Sequence, residues 1–316
     1  MKTHPEIALG TWSWGTGVAG GDTVFGNNLT DEEMSALFRA GMQQGLRLWD
    51  TAAVYGMGSS ESALGRVMRE FPRDDVTLST KFTPQIADES AAQPLTAMLE
   101  GSLKRLGVEF IDIYWLHNPQ DVEKWTPGLI PLLRDGRIKQ VGVSNHNLAQ
   151  IKRVNEILGQ AGYAISAVQN HYSLLYRSSE KAGILDYCRK NGVTFFSYMV
   201  LEQGALSGRY DTRHPMPVGS GRAETYNNVL PRLEKLTRAM SDMARVRQAS
   251  VAQIAIAWAT GKGTVPLIGA TKLNHISDAA AAIELKKEEV ELLERLAEET
   301  GVDTRGSWEK RMESAD

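Results

Sequence analysis

Short apolar runs alternate with amphipathic segments along most of this chain of 316 residues. Brief apolar runs are typical of buried strands, whereas apolar positions spaced three and four residues apart are typical of helices. Strands that are apolar on both faces favour a parallel sheet covered by helices. The pattern therefore predicts an α/β protein, with strands at residues 6–12, 46–50, 76–82, 110–117, 140–145, 165–170, 193–199 and 265–270.

Two of the intervening helices carry their own start signals. Thr30 with Glu33, and Ser250 with Gln253, have the spacing of capping boxes, in which two side chains satisfy the free amides of a helix start. Two more helices are expected after the eighth strand, one from about His275 through "AAAAIEL" and one over "KEEVELLERLAEETG". We expect a long irregular loop after the seventh strand, from about Gly208 to Leu230, of the kind that often serves as a functional lid.

Two architectures compete for this order of elements. A doubly wound sheet normally has a glycine-rich phosphate turn after its first strand. Here that turn is "GTWSWGTG", which lacks the required glycine spacing and contains aromatic residues. Eight successive strand and helix units in about 300 residues fit a closed (β/α)8 TIM barrel better. No linker divides the chain, so we predict one domain over residues 1–316.

Charge and terminal composition exclude several classes of partner. The net charge is −3 and no run of basic residues is present, which argues against binding to nucleic acid. The N-terminus has no apolar stretch of signal-peptide length, and no segment approaches the ~20 apolar residues that span a bilayer. The single cysteine, Cys188, fits a reducing compartment. We expect a cytoplasmic protein with no membrane partner, and the oligomeric state stays open.

In a (β/α)8 barrel the reaction takes place at the carboxyl ends of the strands, and four titratable residues fall there. They are Asp50, Tyr55, Lys81 and His117. A tyrosine can protonate a developing alkoxide if a nearby ammonium lowers its pKa, a carboxylate can hold that ammonium, and a histidine can orient a carbonyl. This set suits hydride addition to an aldehyde or ketone. A metal-dependent sugar isomerase, one rival, would need several carboxylates and histidines at the strand ends.

Seven segments along the chain resemble the aldo-keto reductase family, in family order and at family-like spacing. They are "DTAAVYG", "TKF", "WLHNP", "VGVSNH", "VQNHYSLL", "LEQGALSGRY" and "LIGATKLNHI". The closing "GVDTRGSWEK" also looks like bacterial members of the family. The resemblance implies that Tyr55 is the proton donor, that Lys81 lowers its pKa, that Asp50 holds Lys81 and that His117 orients the substrate.

The resemblance also implies a nicotinamide cofactor bound across the top of the barrel. Ser144, Asn145 and Gln169 match residues that hydrogen-bond the carboxamide, and Tyr198 matches the ring that stacks on the nicotinamide. The matching pyrophosphate segment includes Leu201, Gln203, Gly204 and Leu206, and the residues matching the adenosine site are Gly269, Thr271, Lys272, His275 and Asp278. Taken without the resemblance, Gln169 could instead be a buried amide that only satisfies backbone groups.

Two departures from the family pattern bear on the cofactor. Met199 and Val200 stand where the family usually has serine and proline, which predicts a freer backbone beside the pyrophosphate. His275 and Ala279 stand where the family often has arginine and asparagine. Lys272 can still supply a cation for a 2′-phosphate, so we expect NADPH, with NADH as the alternative.

The substrate is expected to be a small carbonyl compound, which the sequence does not identify further. Trp12 and Trp14 are candidates for its pocket together with His117, with plain packing as the alternative for both tryptophans. Trp308 and the loop around Arg222 are candidate lids. Because the same fold includes channel-associated subunits, a cofactor-binding regulatory protein with little turnover is the rival from another functional class.

Overall fold

Eight parallel strands close into a barrel in the order in which they occur in the chain. The computed structural model describes residues 7–306 and 309–313. The strands are β1 (Ala8–Gly10), β2 (Leu48–Asp50), β3 (Thr77–Phe82), β4 (Ile111–Leu116), β5 (Ile138–Ser144), β6 (Ala167–His171), β7 (Thr194–Tyr198) and β8 (Val265–Gly269). Pairing of β1 with β8, in which Gly10 lies opposite Gly269, closes the barrel. The predicted (β/α)8 architecture is confirmed.

Helices surround the barrel and also decorate its loops. They are α1 (Gly21–Val24), α2 (Asp31–Gln43), α3 (Ser59–Met68), α4 (Pro94–Leu106), α5 (Val122–Trp125), α6 (Leu129–Arg134), α7 (Leu148–Gly159), α8 (Ser178–Lys181), α9 (Ile184–Asn191), α10 (Gly221–Tyr226), α11 (Leu230–Arg247), α12 (Val251–Gly261), α13 (Leu273–Ala280) and α14 (Lys287–Thr300). Both predicted capping boxes are present, at the starts of α2 and α12. Within the two described ranges, no helix combines the length and apolar composition that a bilayer crossing requires.

Three elements differ from the sequence expectation. The stretch predicted to be irregular contains α10, and the long helix α11 follows it, with Leu233, Leu236 and Met240 on its buried face. Strand β6 continues to His171, beyond the predicted end, because His171 still pairs with Tyr198 of β7. Helix α13 ends at Ala280 rather than continuing through "AAAAIEL". There the packing of the following residues, Ile283 and Leu285, against the core overrides the helix propensity of alanine.

The inside of the barrel is filled by a small apolar cluster, separate from the main core between strands and helices. Trp115 is its largest member and is fully buried. A Cβ added at Gly142 on the neighbouring strand would lie 2.2 Å from Cε3 of this tryptophan. Position 142 is therefore glycine because the indole occupies the space of a side chain.

We predict that Gly142→Ala destabilises the protein by about 1–3 kcal/mol, the usual cost of overpacking a core. Urea unfolding at neutral pH measures this. Gly159→Ala, at the end of α7, is the matched control because a Cβ there meets nothing within 4 Å. An equal loss of stability in both variants would contradict the explanation.

Candidate active site

A buried ion pair lies at the carboxyl ends of β2 and β3. The ammonium of Lys81 contacts the Asp50 carboxylate and donates to the backbone oxygen of Thr51 at 2.8 Å. The two side chains are 0% and 2% exposed. Ser79 donates to Asp50 at 2.5 Å, and Gln169 does so at 3.4 Å. Burial lowers the pKa of Lys81, but Asp50 and Tyr55 together raise it by more, so Lys81 carries its charge.

Tyr55 is placed against this ion pair by a tight turn. The ammonium of Lys81 lies 5.1 Å from the centroid of the tyrosine ring. Gly56, the next residue, has φ of 57°, and a Cβ there would lie 2.1 Å from Oγ of Ser59. Glycine alone tolerates that combination of backbone angle and close approach. This explains why "DTAAVYG" ends as it does: the strand delivers Asp50, and the turn brings Tyr55 back over it.

The prediction that the pKa of Tyr55 is lowered is wrong for the net effect of all its neighbours. Burial raises the pKa above its ordinary value, and Asp50 adds to the increase. Lys81 lowers it, as predicted, but does not outweigh burial. Tyr55 is therefore a neutral phenol at neutral pH, which is the form that can donate a proton.

His117 completes this group from the end of β4. Its ring centroid lies 5.8 Å from that of Tyr55, edge to face, and its Nδ1 lies 2.8 Å from Oγ1 of Thr83. Burial and the charge of Lys81 lower the pKa of His117 to about 3, so the imidazole is neutral under ordinary conditions. Thr83 was not anticipated from the sequence, although it follows "TKF" directly.

Asn145 and Tyr198 form a second group beside the first. Asn145 has φ of 64° and donates through Nδ2 to the backbone oxygen of His117 at 2.9 Å and to the hydroxyl of Ser144 at 3.2 Å. The hydroxyl of Tyr198 lies 2.5 Å from Oδ1 of Asn145. Ser144, the last residue of β5, and Gln169, within β6, are buried close by. The structure thus brings together the four residues predicted to meet the nicotinamide.

The loop after β7 has an unusual backbone. Met199, Glu202 and Gln203 all have φ between 46° and 61°, a region that residues other than glycine seldom occupy. Met199 therefore occupies a restricted conformation rather than the freer one expected from the sequence. The amides of Gly204 and Leu206 both donate to the oxygen of Leu201. Leu206 is fully buried in the main core, so its side chain does not reach the predicted pyrophosphate site.

Three cations converge beyond this loop. The guanidinium carbons of Arg209 and Arg222 lie 5.4 and 5.6 Å from the centroid of the Tyr210 ring. Burial, followed by the charges of these two arginines, lowers the pKa of Lys272. Within the described residues none of the three pairs with a carboxylate, and the buried Nε of Arg222 has no hydrogen-bond partner. Such a cluster is suited to an anion with several oxygens, such as a phosphate.

The remaining predicted cofactor residues lie next to Lys272. Gly269 ends β8, Thr271 directly precedes Lys272 before α13, and His275 and Asp278 lie within α13. Nδ1 of His275 lies 3.0 Å from Oγ1 of Thr271. Burial lowers the pKa of His275, which favours its neutral form and leaves Lys272 as the cation of this segment.

The two candidate substrate tryptophans have different environments. Trp12 stacks on Tyr55 with ring centroids 5.1 Å apart, and its far side contacts Phe25. Trp14 is buried in the main core, where its Nε1 donates to the oxygen of Ala270 at 2.6 Å. The structure therefore places Trp12 at the mouth of the barrel and corrects the prediction for Trp14, which packs instead.

Two candidate lids, the loop around Arg222 and Trp308, were expected from the sequence. Arg222 lies in α10, and its guanidinium belongs to the cluster of three cations described above. The second candidate, Trp308, lies outside the described residues. Over residues 7–306 and 309–313, no group of three or more histidine, cysteine or acidic side chains is arranged to hold a metal ion.

A buried charged cluster beside Tyr198 was missed by sequence reasoning. Its centre is His171, which contacts Glu202 at 3.1 Å and Glu309 at 3.0 Å. His171 lies two residues after Gln169 on the same strand, so alternation along the strand could have identified it. Glu309 lies outside any helix or strand, so no periodicity of the sequence predicted its position, although it falls within "GVDTRGSWEK".

Titratable side chains at the carboxyl ends of a closed (β/α)8 barrel give this protein the architecture of a barrel enzyme. The model of the Aldo/keto reductase family matches residues 6–298, and the chain belongs to that family.

Individual relatives are similar over most of their length. The chain is 30% identical to pyridoxal reductase, chloroplastic, from Arabidopsis thaliana, covering 93% of this chain and 83% of the relative. It is 28% identical to L-glyceraldehyde 3-phosphate reductase from Escherichia coli K12, covering 88% and 84%. An aldo-keto reductase from Klebsiella pneumoniae, solved in complex with NADPH, superposes with a TM-score of 0.71 at 26% identity, covering 97% and 94%. Since relatives come from plants, fungi and bacteria, the likeness of the closing segment to bacterial members stays a prediction.

We predict that His171 makes the stability of the protein depend on pH. Burial lowers its pKa, but Glu202 and then Glu309 raise it to about 10, against 6.5 for the free side chain; Tyr198 and Tyr176 also face the ring. Because the folded pKa is the higher one, its contribution is complete below pH 6.5 and is lost as the pH rises to about 10. The difference in unfolding free energy between the wild type and His171→Gln should shrink over that range in urea titrations. The exposed His214→Gln is the control, and a difference that stays constant with pH would contradict the charged form of His171.

Proposed function

We propose that this aldo/keto reductase uses NADPH to reduce a small aldehyde or ketone to the alcohol, with Tyr55 as the proton donor. The observation that carries the proposal is the arrangement of Tyr55 and His117 around the buried pair of Lys81 and Asp50. Two relatives are named for the reduction of pyridoxal and of L-glyceraldehyde 3-phosphate. Both names support an aldehyde as the class of substrate.

Each of the four side chains has a separate role in this proposal. The chemistry that bound NADPH supplies is hydride transfer from nicotinamide C4 to the carbonyl carbon. Tyr55 gives its phenolic proton to the carbonyl oxygen, so that one O–H bond breaks as another forms. Lys81 stabilises the resulting phenolate, since a buried negative charge needs a nearby positive charge. Asp50 keeps the ammonium of Lys81 in place.

His117 orients the substrate without exchanging a proton. Its pKa of about 3 keeps the ring neutral, so that one ring nitrogen carries hydrogen and the other does not. When the hydroxyl of Thr83 donates to Nδ1, the hydrogen lies on Nε2 and is available to the carbonyl oxygen. Trp12, stacked on Tyr55, forms an apolar wall for the same pocket.

The residues across the top of the barrel fit a dinucleotide. The unpartnered Nε of Arg222 and the three unpaired cations suit phosphate groups, and Lys272 lies in the segment that matches the adenosine site. Asn145, Ser144 and Gln169 offer polar groups to the carboxamide, and Tyr198 offers its ring to the nicotinamide. The structure of the Klebsiella relative with NADPH supports this choice of cofactor over NADH.

The single domain over residues 1–316 stays a prediction.

Tyr55→Phe should lower the rate of carbonyl reduction by about 100-fold or more, because it removes the proton donor and leaves the ring in place. The measurement is NADPH oxidation with a panel of aldehydes, together with fluorescence titration of NADPH binding. Binding should be unchanged. A wild type that binds NADPH but turns over no faster than Tyr55→Phe would instead support the regulatory protein.

Lys272→Gln should weaken NADPH binding by about tenfold and leave NADH binding unchanged, because only NADPH carries the 2′-phosphate that this cation would pair with. Dissociation constants for both cofactors measure this. Lys287→Gln, an exposed lysine on α14, is the control. Equal losses for NADPH and NADH would place Lys272 at the pyrophosphate rather than at the 2′-phosphate.

A further inference from the structure

The cluster around His171 is built from three separate parts of the chain. His171 ends β6, Glu202 lies in the loop after β7, and Glu309 lies in the C-terminal segment. The histidine ring contacts one carboxylate through each nitrogen, and none of the three side chains is more than 1% exposed. A charged imidazole between two carboxylates fixes both of them, because each buried charge needs its partner.

Glu202 accepts hydrogen bonds from three side chains, which fix its position in the cluster. Its Oε1 accepts hydrogen bonds from Ser173 and from Thr304, the latter at 2.9 Å, and its Oε2 accepts from Tyr226 of α10 at 2.6 Å. With these partners its oxygens are satisfied within the described part of the chain. Glu202 therefore orients His171, and His171 in turn presents its Nδ1 to Glu309.

The C-terminal segment is anchored next to the cluster by contacts of its own. The amide of Met312 donates to the Ser178 hydroxyl at 2.7 Å, and Glu313 contacts the same hydroxyl. On the other side of Glu309, the amide of Gly306 donates to its Oε2 at 2.7 Å. The two backbone contacts, of Met312 and Gly306, hold the segment so that the carboxylate of Glu309 enters the top of the barrel.

The second oxygen of Glu309 contacts the hydroxyl of Tyr198. The same hydroxyl lies 2.5 Å from Oδ1 of Asn145, yet it has only one proton to donate. A charged carboxylate is a stronger acceptor than a neutral amide, so Glu309 is favoured over Asn145 for that proton. The carbonyl oxygen of Asn145 then keeps its acceptor positions for another donor.

We propose that Glu309 is a positioning residue of the cofactor site, which fixes the ring of Tyr198 through its hydroxyl and frees Oδ1 of Asn145 for a donor on the cofactor. This inference rests on the proposed function, in which Tyr198 stacks on the nicotinamide and Asn145 meets its carboxamide. It assigns to the C-terminal segment a part in binding the nicotinamide end, a role that the resemblance of "GVDTRGSWEK" to the family did not imply. Glu309 acts through Tyr198 and does not touch the reacting atoms.

The test is a double-mutant cycle on NADPH binding in the full-length protein. Tyr198→Phe removes the hydroxyl and keeps the ring, and Glu309→Gln removes the charge and keeps the shape. We expect each variant to raise the dissociation constant by about tenfold, the usual effect of losing a hydrogen bond to a charged group. The double variant should lose no more than the larger single effect, because both changes remove one interaction. A crystal structure of Glu309→Gln without cofactor should show the Tyr198 ring displaced.

Glu313→Gln is the matched control, because Glu313 lies in the same segment and contacts Ser178 instead of Tyr198. We expect it to bind NADPH as the wild type does. If Glu313→Gln weakens binding as much as Glu309→Gln does, the segment acts by general disruption and the inference is wrong. Additive losses in the cycle would overturn it too, since Glu309 would then act independently of the hydroxyl.

Tyr198→Ala separates this inference from the function on which it depends. If removing the whole ring leaves NADPH binding unchanged, the stacking role in the proposed function fails, and the inference fails with it. If Tyr198→Ala weakens binding while Tyr198→Phe and Glu309→Gln bind as the wild type does, only the inference is overturned. Thermal unfolding of every variant verifies that the losses are measured on folded protein.

Discussion

The ammonium of Lys81 and the carboxylate of Asp50 are buried together at the ends of two neighbouring strands, and the candidate site is organised around them. Either charge left alone there would cost on the order of several kcal/mol, so the two must be buried as a pair. The parallel register of β2 and β3 brings both residues to the same end of the barrel. Tyr55 and His117 then surround a charge that already has a fixed position.

The pair also affects the pKa values of two neighbouring side chains, Tyr55 and His117. The charge of Lys81 adds to burial in lowering the pKa of His117 to about 3, and it opposes burial in Tyr55. Burial keeps both side chains neutral, Tyr55 as a phenol that can give a proton and His117 as an imidazole that can donate a hydrogen bond. Without Lys81 at this position, neither pKa would feel a nearby positive charge.

A second group of buried charges supports the nicotinamide end of the predicted cofactor site. His171 links Glu202, in a loop with strained backbone angles, to Glu309, at the end of the chain. Strain of this kind persists only where surrounding contacts fix it, and here the buried hydrogen bonds of Glu202 provide them. In contrast, the cluster of Arg209, Arg222 and Lys272 has no such partners in the described ranges, as an open anion site requires.

The barrel and most of the residues at its mouth could be predicted from the sequence. Apolar runs mark buried strands, and parallel strands present their carboxyl ends together, so Asp50, Lys81, His117 and Asn145 could be predicted to meet. The other features depend on contacts that form only in the folded chain. Trp12 and Trp14 belong to one short motif, yet one stacks on Tyr55 and the other packs in the core, because the turn between them reverses which one faces the barrel mouth. Burial reversed the expected pKa of Tyr55, and long-range packing brought Glu309 to Tyr198, since both depend on neighbours distant in sequence.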